Sequence, residues 1–293
     1  MKNLLETTKD LCRLYGITPA RSKGQNFLIT EDVYDKIIEA ADLSADDTVL
    51  EVGPGLGFLT AKLAKRVKQV VAVELDDKLA GVLRTGLATQ KVGNVEVVNE
   101  DVLKFPISNF QFPIKSKIQN QNLICDTCYV LRGYKIVANL PYNITSFFLR
   151  KFLSMENKPN IMVLMLQKEV AERIVAKPPK MSLLGISVQF YADAEIVQIV
   201  PRDNFWPMPA VDSAIVKLKV KSEKLKVDEK KFFQLVKFGF SAKRKMLKNN
   251  LSAGLRMDDK EVENKLILAN IKPTTRAQEL SLEDWFRLFG LFY

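Results

Sequence analysis

Strand-like and helix-like segments alternate between Thr48 and Val220. Short apolar runs with the composition of buried strands are separated by stretches whose apolar residues recur three and four positions apart. The runs are TVLEVG, VVAVEL, VEVVNED, KIVANL and IMVLML, and the helical stretches include GFLTAKLAKRV and DKLAGVLRTGLAT. This alternation predicts βαβ units, and therefore an α/β fold built on a mostly parallel sheet.

Two more strand patterns end the alternating region. AEIVQIV and DSAIVKLKV have no obvious helix between them, so we expect them to pair antiparallel at an edge of the sheet. A charged linker follows at 221–230, and beyond it KKFFQLVKFGFSAKRKMLKNNL and SLEDWFRLFGLF have helical spacing. The sequence thus predicts an α/β domain over 1–220, which begins with a helical segment, and a small all-helical domain over 221–293.

The segment 107–133 interrupts this pattern. It is polar and irregular, and it is long for a connection in an α/β domain. Its Cys125 and Cys128 form a C-x-x-C pair that suits a redox site or half of a zinc site. A zinc site needs two more ligands, and Cys12 is the one cysteine left. We therefore expect a surface insertion that is dispensable for chemistry, and no metal site.

The absence of histidine restricts the chemistry of the chain. It excludes Ser-His and Cys-His nucleophilic catalysis and every metal site that uses histidine. Any reaction must therefore use carboxylates, amides, aromatic rings and backbone groups, or a bound cofactor.

Positive charge is concentrated in the last quarter of the chain. The net charge is +10, and residues 221–293 carry +6 of it. A basic surface of this kind favours a polyanionic partner, most often a nucleic acid, and the alternative is a merely solvated surface. The residues that we expect to contact phosphates lie on a predicted basic helix, Ser241 to Asn250. They are Lys243, Arg244, Lys245 and Lys248.

The N-terminal segment and the apolar runs bear on location. No run has the length of a membrane span, and MKNLLETTKDLCRLYG is charged throughout, without the apolar core of a signal peptide. Three cysteines do not suggest a secreted disulfide framework. We expect a cytoplasmic protein with no membrane partner.

A glycine-rich loop joins a strand to a helix in LEVGPGLGFLT. Gly53, Gly55 and Gly57 allow the backbone to turn tightly and to approach a ligand closely. The dinucleotide fingerprint requires its third glycine one position later, where Phe58 stands, so a nicotinamide cofactor fits poorly. A nucleoside without a pyrophosphate is the alternative, and Glu51 then lies where it would meet a cationic amine. A tight turn that serves packing alone also remains open.

Acidic residues end the next two strands. Glu74 is placed to accept hydrogen bonds from both hydroxyls of a ribose, and Asp101 to accept one from the amino group of an adenine. Either residue alone is typical of a solvated loop. Ligands of open α/β sheets bind at the carboxyl ends of the strands, so the glycine loop and both acids converge on one ligand. Together they describe an adenosine with a positive group that is not a phosphate, which is S-adenosylmethionine.

With the next strand ending in NLPY, the ordered motifs resemble those of S-adenosylmethionine-dependent adenine-N6 methyltransferases, and within them the small-subunit ribosomal RNA adenine dimethyltransferases. The resemblance covers nearly the whole chain, and the insertion at 107–133 and Glu100, where the family usually has glycine, depart from it. The matching motifs are KGQNFL, EVGPGLGFLT, Glu74, Asp101, NLPYNI, LMLQKEVAERI, NFWPMPAVDSAIVKL, FSAKRKMLKNNL and RAQELSLEDWFRL.

The resemblance implies a Rossmann-like methyltransferase domain that binds S-adenosylmethionine. The cofactor residues implied are Gln25, Asn26, Leu28, Glu51, Gly53, Gly55, Glu74, Asp101 and Asn139. It also implies a reaction, in which two neighbouring adenosines near the 3′ end of small-subunit rRNA are each methylated twice during ribosome assembly. The partner is then small-subunit rRNA or the assembled small subunit, and we expect a monomer.

The NLPY motif is expected to hold the target adenine. Two acceptors would fix the amine, the Asn139 side-chain oxygen and a backbone carbonyl of Leu140 or Pro141. Tyr142 would stack on one face of a base that has left its own stack, and Phe205 would cover the other face. Both aromatic residues equally suit a packed core.

Two other functions fit parts of the pattern. A large-subunit rRNA adenine methyltransferase of the antibiotic-resistance kind shares the fold and the mechanism. The leucine of NLPY and the segment VDSAIVKL favour the small-subunit enzyme. A non-catalytic assembly or transcription factor on the same fold is disfavoured by the intact NLPY and acidic residues.

Overall fold

The structure is a computed structural model that describes residues 3–19, 25–105, 133–222 and 227–293. The expected insertion, with Cys125 and Cys128, lies outside the described residues except for Gly133. The chain divides into two compact units. The first comprises Met1–Lys168 and Glu195–Val220, and the second comprises Glu169–Ala194 and Lys221–Tyr293.

The described strands form one large and one small sheet. In chain order they are β1 (Phe27–Leu28), β2 (Thr48–Val52), β3 (Gln69–Glu74), β4 (Val95–Asn99), β5 (Lys135–Asn139), β6 (Ile161–Gln167), β7 (Ala192–Val200), β8 (Phe205–Trp206) and β9 (Ser213–Val220). Within the described ranges the large sheet has seven strands in the order β4-β3-β2-β5-β6-β9-β7, and β1 pairs with β8 in the small one.

The large sheet confirms the predicted fold class. β2, β3, β4, β5 and β6 run parallel to their neighbours, whereas β9 runs antiparallel to β6 and has β7 beside it at the edge. The central strands are buried on both faces, as the near-continuous apolar runs require. Its seven strands are the seven that the sequence predicts.

The small sheet is not evident from the sequence. β1 and β8 have two residues each, too few to give a periodic pattern, and Leu28 pairs with Phe205 across them. Both side chains are buried in the core beside the large sheet. Tertiary packing, rather than local sequence, therefore fixes this pair of strands.

The described helices are short to medium in length. They are α1 (Leu4–Leu14), α2 (Glu31–Ala40), α3 (Phe58–Ala64), α4 (Asp77–Thr89), α5 (Thr145–Ser154), α6 (Lys168–Val175), α7 (Leu183–Tyr191), α8 (Glu229–Gly239), α9 (Leu247–Leu255), α10 (Asp259–Leu268) and α11 (Leu282–Phe292). In the part of the chain that the structure covers, none is long and apolar enough to cross a membrane.

The second unit includes more of the chain than the expected helical domain. The sequence-based boundary at 220 leaves the segment 169–194 with the α/β domain, whereas in the structure this segment belongs to the helical unit. Phe190 of α7 explains the difference, because its ring lies 4.9 Å from the ring centroids of Phe232 and Phe233 and 5.8 Å from that of Phe286. Burial of large aromatic rings contributes strongly to packing, and this cluster joins α7 to α8 and α11.

The prediction of a continuous basic helix over Ser241–Asn250 is wrong. α8 ends at Gly239 and α9 begins at Leu247, and a turn separates them. The Asn250 side chain donates hydrogen bonds to the carbonyl oxygens of Gly239, at 2.6 Å, and of Ala242, at 3.1 Å. These bonds satisfy one carbonyl at the end of α8 and one in the turn, so they stabilise the break.

Candidate active site

A pocket in the first unit lies at the carboxyl ends of β2, β3 and β5. Twelve of the thirteen residues predicted for the cofactor or the chemistry line it. They are Gln25, Asn26, Leu28, Glu51, Gly53, Gly55, Glu74, Asn139, Leu140, Pro141, Tyr142 and Phe205. Asp101 is not among the lining residues that the structure describes. The predicted set therefore converges on one cavity, with a single exception.

The glycine loop adopts a backbone that requires glycine. Gly53, Gly55 and Gly57 have φ angles of +66°, +57° and +85°. A Cβ on Gly57 would lie 2.5 Å from the Leu83 side chain. The Gly55 N–H donates a hydrogen bond to Glu74 Oε2 at 3.1 Å. The loop is thus tied directly to the carboxylate at the end of β3.

Glu74 is oriented by backbone donors on both of its oxygens. Oε2 accepts from Gly55, and Oε1 accepts from the N–H of Asp76 at 2.9 Å. Burial raises the pKa of Glu74, and the backbone hydrogen bonds act in the opposite direction. The two bonds fix the orientation of the Glu74 side chain on the pocket wall.

Glu51 is a buried carboxyl without a partner. Its side chain is 1% exposed, and neither oxygen has a hydrogen bond from any residue that the structure describes. Burial raises the pKa of Glu51 to about 8; the charge of Glu74 adds to this, while Thr60 opposes it without reaching hydrogen-bond geometry. An unpaired buried carboxyl is costly, so a ligand that brought a cation to this wall would relieve that cost.

The turn after β5 presents polar atoms to the same pocket. The Asn139 amide nitrogen donates to the Asn26 carbonyl at 3.4 Å, so its side-chain oxygen is the atom available as an acceptor. The Pro141 carbonyl already accepts from the Ile144 N–H at 3.2 Å. Of the two backbone carbonyls considered from the sequence, that of Leu140 is therefore the better second acceptor.

Tyr142 is held through its hydroxyl group. This hydroxyl is hydrogen-bonded to the Ser213 hydroxyl at 2.8 Å, and Ser213 is completely buried at the start of β9. Phe205 is 3% exposed and belongs to the core, yet it lines the pocket as well. Sequence reasoning did not single out Ser213, and its only signal was its place in the VDSAIVKL motif.

Asp101 lies in a tight turn two residues after β4. Its Oδ1 accepts from the N–H of Leu103 at 2.9 Å, and its carbonyl accepts from Lys104 and Phe105 at 2.8 and 2.9 Å. The N–H of the preceding Glu100 donates to the Glu74 carbonyl at 3.0 Å. The turn is therefore fixed next to Glu74, and the adenine contact of Asp101 stays a prediction.

Leu75 and Asp76 also line the pocket, although they were not predicted. Leu75 is 62% exposed despite its apolar side chain, and Asp76 caps α4 by accepting from the N–H groups of Lys78 and Leu79. The sequence signal was an apolar residue between two acids directly after a strand. In the part of the chain that the structure describes, no group of three or more His, Cys, Asp or Glu side chains could hold a metal.

The residues expected to bind RNA lie in the second unit. Lys243, Arg244 and Lys245 are exposed on the turn between α8 and α9. Lys248 forms an ion pair with Glu263, with 2.9 Å between Nζ and Oε2. The first three residues, which we call the basic turn, therefore present their charge to solvent more fully than Lys248 does.

Comparison with known proteins assigns the chain to a family. The sequence profile of the ribosomal RNA adenine dimethylases matches residues 18–292. The chain belongs to the ribosomal RNA adenine dimethylase family. This confirms the resemblance drawn from the ordered motifs.

Curated relatives of this dimethylase match over nearly full length. The chain is 42% identical over 285 residues to the ribosomal RNA small subunit methyltransferase A of Dehalococcoides mccartyi, and the match covers 97% of this chain and 91% of the relative. It is 39% identical over 288 residues to the protein of the same name from Enterococcus faecalis, covering 96% and 92%.

Solved structures give the same fold. A dimethyladenosine transferase from Plasmodium falciparum has a TM-score of 0.71 and 27% identity, over 90% of this dimethylase and 96% of that chain. The 23S rRNA methyltransferase ErmE has a TM-score of 0.69 and 29% identity, over 91% and 99%. The fold is thus shared with a dimethyladenosine transferase and with an enzyme named for 23S rRNA.

Proposed function

We propose that this dimethylase transfers methyl groups from S-adenosylmethionine to the N6 amines of two adjacent adenosines near the 3′ end of small-subunit rRNA. The observation that carries the proposal is a single pocket that joins the glycine loop and Glu74 to the turn Asn139–Tyr142. The names of the curated relatives support the choice of the small subunit.

The residues present fit S-adenosylmethionine. Glu74 has a fixed carboxylate for the ribose hydroxyls, and Gly53 and Gly55 permit close approach of the ligand to the backbone. The buried, unpartnered carboxyl of Glu51 suits the cationic amine of the methionine moiety. When bound, the cofactor supplies a methyl group that is activated by its sulfonium charge.

The chain's own contribution to the reaction is to place the acceptor amine. The lone pair of an adenine amine is delocalised into the ring, so the amine is a poor nucleophile. Hydrogen bonds from the amine to the Asn139 oxygen and the Leu140 carbonyl would direct the lone pair towards the methyl group. Positioning of this kind can lower a barrier by roughly 7–11 kcal/mol. A strong base is not needed, because the amine becomes acidic only as the methyl group is transferred.

We expect Tyr142→Phe and Ser213→Ala to have equally small effects. Each change removes the same hydrogen bond, which is worth roughly 0.5–1.5 kcal/mol, while the ring that would stack on the base remains. Tyr142→Ala removes the ring and should cost about 1–3 kcal/mol in capture of the base. Single-turnover methylation with saturating cofactor measures all three. If Tyr142→Phe lowers the methylation activity as much as Tyr142→Ala does, the site uses the hydroxyl instead of the ring.

We expect Glu74→Gln to weaken cofactor binding. A glutamine has one acceptor oxygen, so it cannot accept from both Gly55 and Asp76 and also serve the ribose. Hydrogen bonds to a charged group contribute about 1.5–3 kcal/mol, so affinity should fall roughly 10- to 150-fold. Calorimetry with S-adenosylmethionine measures the change, and unaltered RNA affinity is the control. Equal cofactor affinity in variant and wild type contradicts the assignment of Glu74.

We expect the basic turn to contribute to RNA affinity through phosphates. Replacing Lys243, Arg244 and Lys245 together by Ala should reduce the slope of log affinity against log salt by about 0.7–0.9 for each phosphate that the variant no longer neutralises. Cofactor affinity should not change. Lys248→Ala is the comparison, with a smaller effect because Glu263 already pairs with Lys248. If the triple variant has the same slope as wild type, the basic turn does not bind RNA phosphates.

The choice of ribosomal subunit is tested by offering both. Small and large subunits that lack adenine methylation are mixed, and labelled S-adenosylmethionine is added. We expect label in the small-subunit rRNA. Label in the large subunit alone would favour the activity for which ErmE is named. Label in neither would favour a non-catalytic role.

A further inference from the structure

Lys151 places its ammonium group on three carbonyl oxygens of a single turn. From α5, Nζ donates to the carbonyls of Val102 at 3.1 Å, Leu103 at 2.8 Å and Phe105 at 2.7 Å. An ammonium group has three protons, so this turn uses its complete set of donors. Such an arrangement fixes the direction of each carbonyl and hence the path of the backbone.

The turn that Lys151 holds is the one that begins with Asp101. Within it, Asp101 Oδ1 accepts from Leu103, and its carbonyl accepts from Lys104 and Phe105. These bonds use Oδ1 of the Asp101 carboxylate within the turn itself. The N–H of Glu100 donates to the Glu74 carbonyl, so the turn begins beside a residue that lines the cofactor pocket.

Charged and aromatic side chains lie near the Lys151 ammonium group. Burial lowers its pKa, while the nearby charges of Asp101 and Glu100 act to raise it. The ring of Phe152 lies 5.8 Å from Nζ. The bonded carbonyls end at Phe105, the last residue that the structure describes before the segment 106–132. The interaction thus fixes the turn up to the point where the family's pattern is interrupted.

We propose that Lys151 is a positioning residue for the cofactor, which sets the Asp101 turn so that the second carboxylate oxygen accepts a hydrogen bond from the 6-amino group of the adenine. The inference rests on the proposed function, because it needs the adenine of S-adenosylmethionine beside Asp101. Lys151 itself touches neither the cofactor nor the target base.

The test measures preference for the 6-amino group by calorimetry. The two probes are S-adenosylhomocysteine and its analogue in which hydrogen replaces that amino group. Wild type should bind the first more tightly, by roughly tenfold or more if a charged hydrogen bond is formed. Asp101→Ala should abolish the preference. Lys151→Met, whose unbranched side chain is one atom shorter and has no donors, should reduce the preference at least threefold, and the double variant should show no further loss.

A matched control separates positioning from general stability. Lys135 is a buried lysine of the first unit, and it binds the Asp42 carbonyl and Asp47 at the opposite end of β5 from Asn139. Lys135→Met should lower the unfolding temperature and leave the preference intact. If Lys151→Met does not fold, Lys151→Gln, which has two amide donors on a shorter side chain, is judged by the same criterion.

The outcomes separate the role of Lys151 from the proposed function. Loss of the preference in Asp101→Ala but not in Lys151→Met overturns the role of Lys151 and leaves the proposed function standing. A preference that survives in Asp101→Ala overturns the adenine assignment of Asp101 and the inference with it. A reduced preference in Lys135→Met as well would show that the effect is one of stability.

Discussion

Replacing Asn139 by alanine is expected to slow methyl transfer by about 10²–10³, equivalent to about 2.7–4 kcal/mol, by analogy with the removal of one oxyanion-hole donor. The Asn139 amide nitrogen is bonded to the Asn26 carbonyl, so its oxygen is available to the amine whose geometry changes during the reaction. Single-turnover methylation with saturating cofactor isolates this step from cofactor binding, which is expected to weaken somewhat because Asn139 also borders the cofactor.

Asn94 provides the matched control for this substitution. Its side chain donates to the carbonyls of Ala64 and Val67, and it lies beyond the opposite end of the sheet, before β4. Asn94→Ala should lower stability and leave the single-turnover rate within a few-fold of wild type. A rate for Asn139→Ala that is also within a few-fold of wild type is incompatible with the proposed role of its oxygen.

Glu51→Gln is expected to stabilise the free protein at alkaline pH. Burial raises the pKa of Glu51 from 4.5 to about 8, so the folded state keeps a proton that the unfolded state loses between these values. The stability of wild type relative to the variant should therefore fall by about 1.4 kcal/mol per pH unit, at most, as pH rises from about 4.5 to 8. Below that range wild type and variant should be about equally stable, and above it the difference in their stability should stay constant.

Denaturant unfolding at pH 5 and pH 8.5 measures this difference. Glu39→Gln, at a side chain that is 72% exposed, is the control for the substitution itself. S-adenosylmethionine brings a cationic amine to Glu51 in the proposed complex, so it should stabilise wild type more than Glu51→Gln at the higher pH. If the stability difference between wild type and Glu51→Gln is the same at both pH values, Glu51 does not titrate as a buried carboxyl.

Much of the fold could be predicted because parallel strands buried on both faces leave nearly continuous apolar runs. The seven strands of the large sheet all had this signal or a clear alternation. β1 and β8 had none, because two residues carry no period and the contact of Leu28 with Phe205 fixes them. The break between α8 and α9 was missed for a similar reason, since the Asn250 side chain stabilises it from the following helix.

The candidate site was predictable as far as it follows from strand ends. Glu51, Glu74 and Asn139 lie on β2, β3 and β5, and the geometry of a parallel sheet brings the ends of these strands together. The partners that orient such residues were not predictable. Ser213 is 71 positions from Tyr142, and Lys151 is 46 or more from the carbonyls that it binds. Only the folded chain brings these groups within hydrogen-bonding distance.

The most direct test of the proposed activity is the nucleoside content of small-subunit rRNA after reaction. Purified protein, S-adenosylmethionine and small subunits that lack adenine methylation are incubated to completion, and the rRNA is digested and analysed by mass spectrometry. We expect N6,N6-dimethyladenosine at two adjacent adenosines near the 3′ end, and none with Asn139→Ala over the time in which wild type completes the reaction. Methylation of any other base, or a product that forms equally fast with the variant, would contradict the proposed activity.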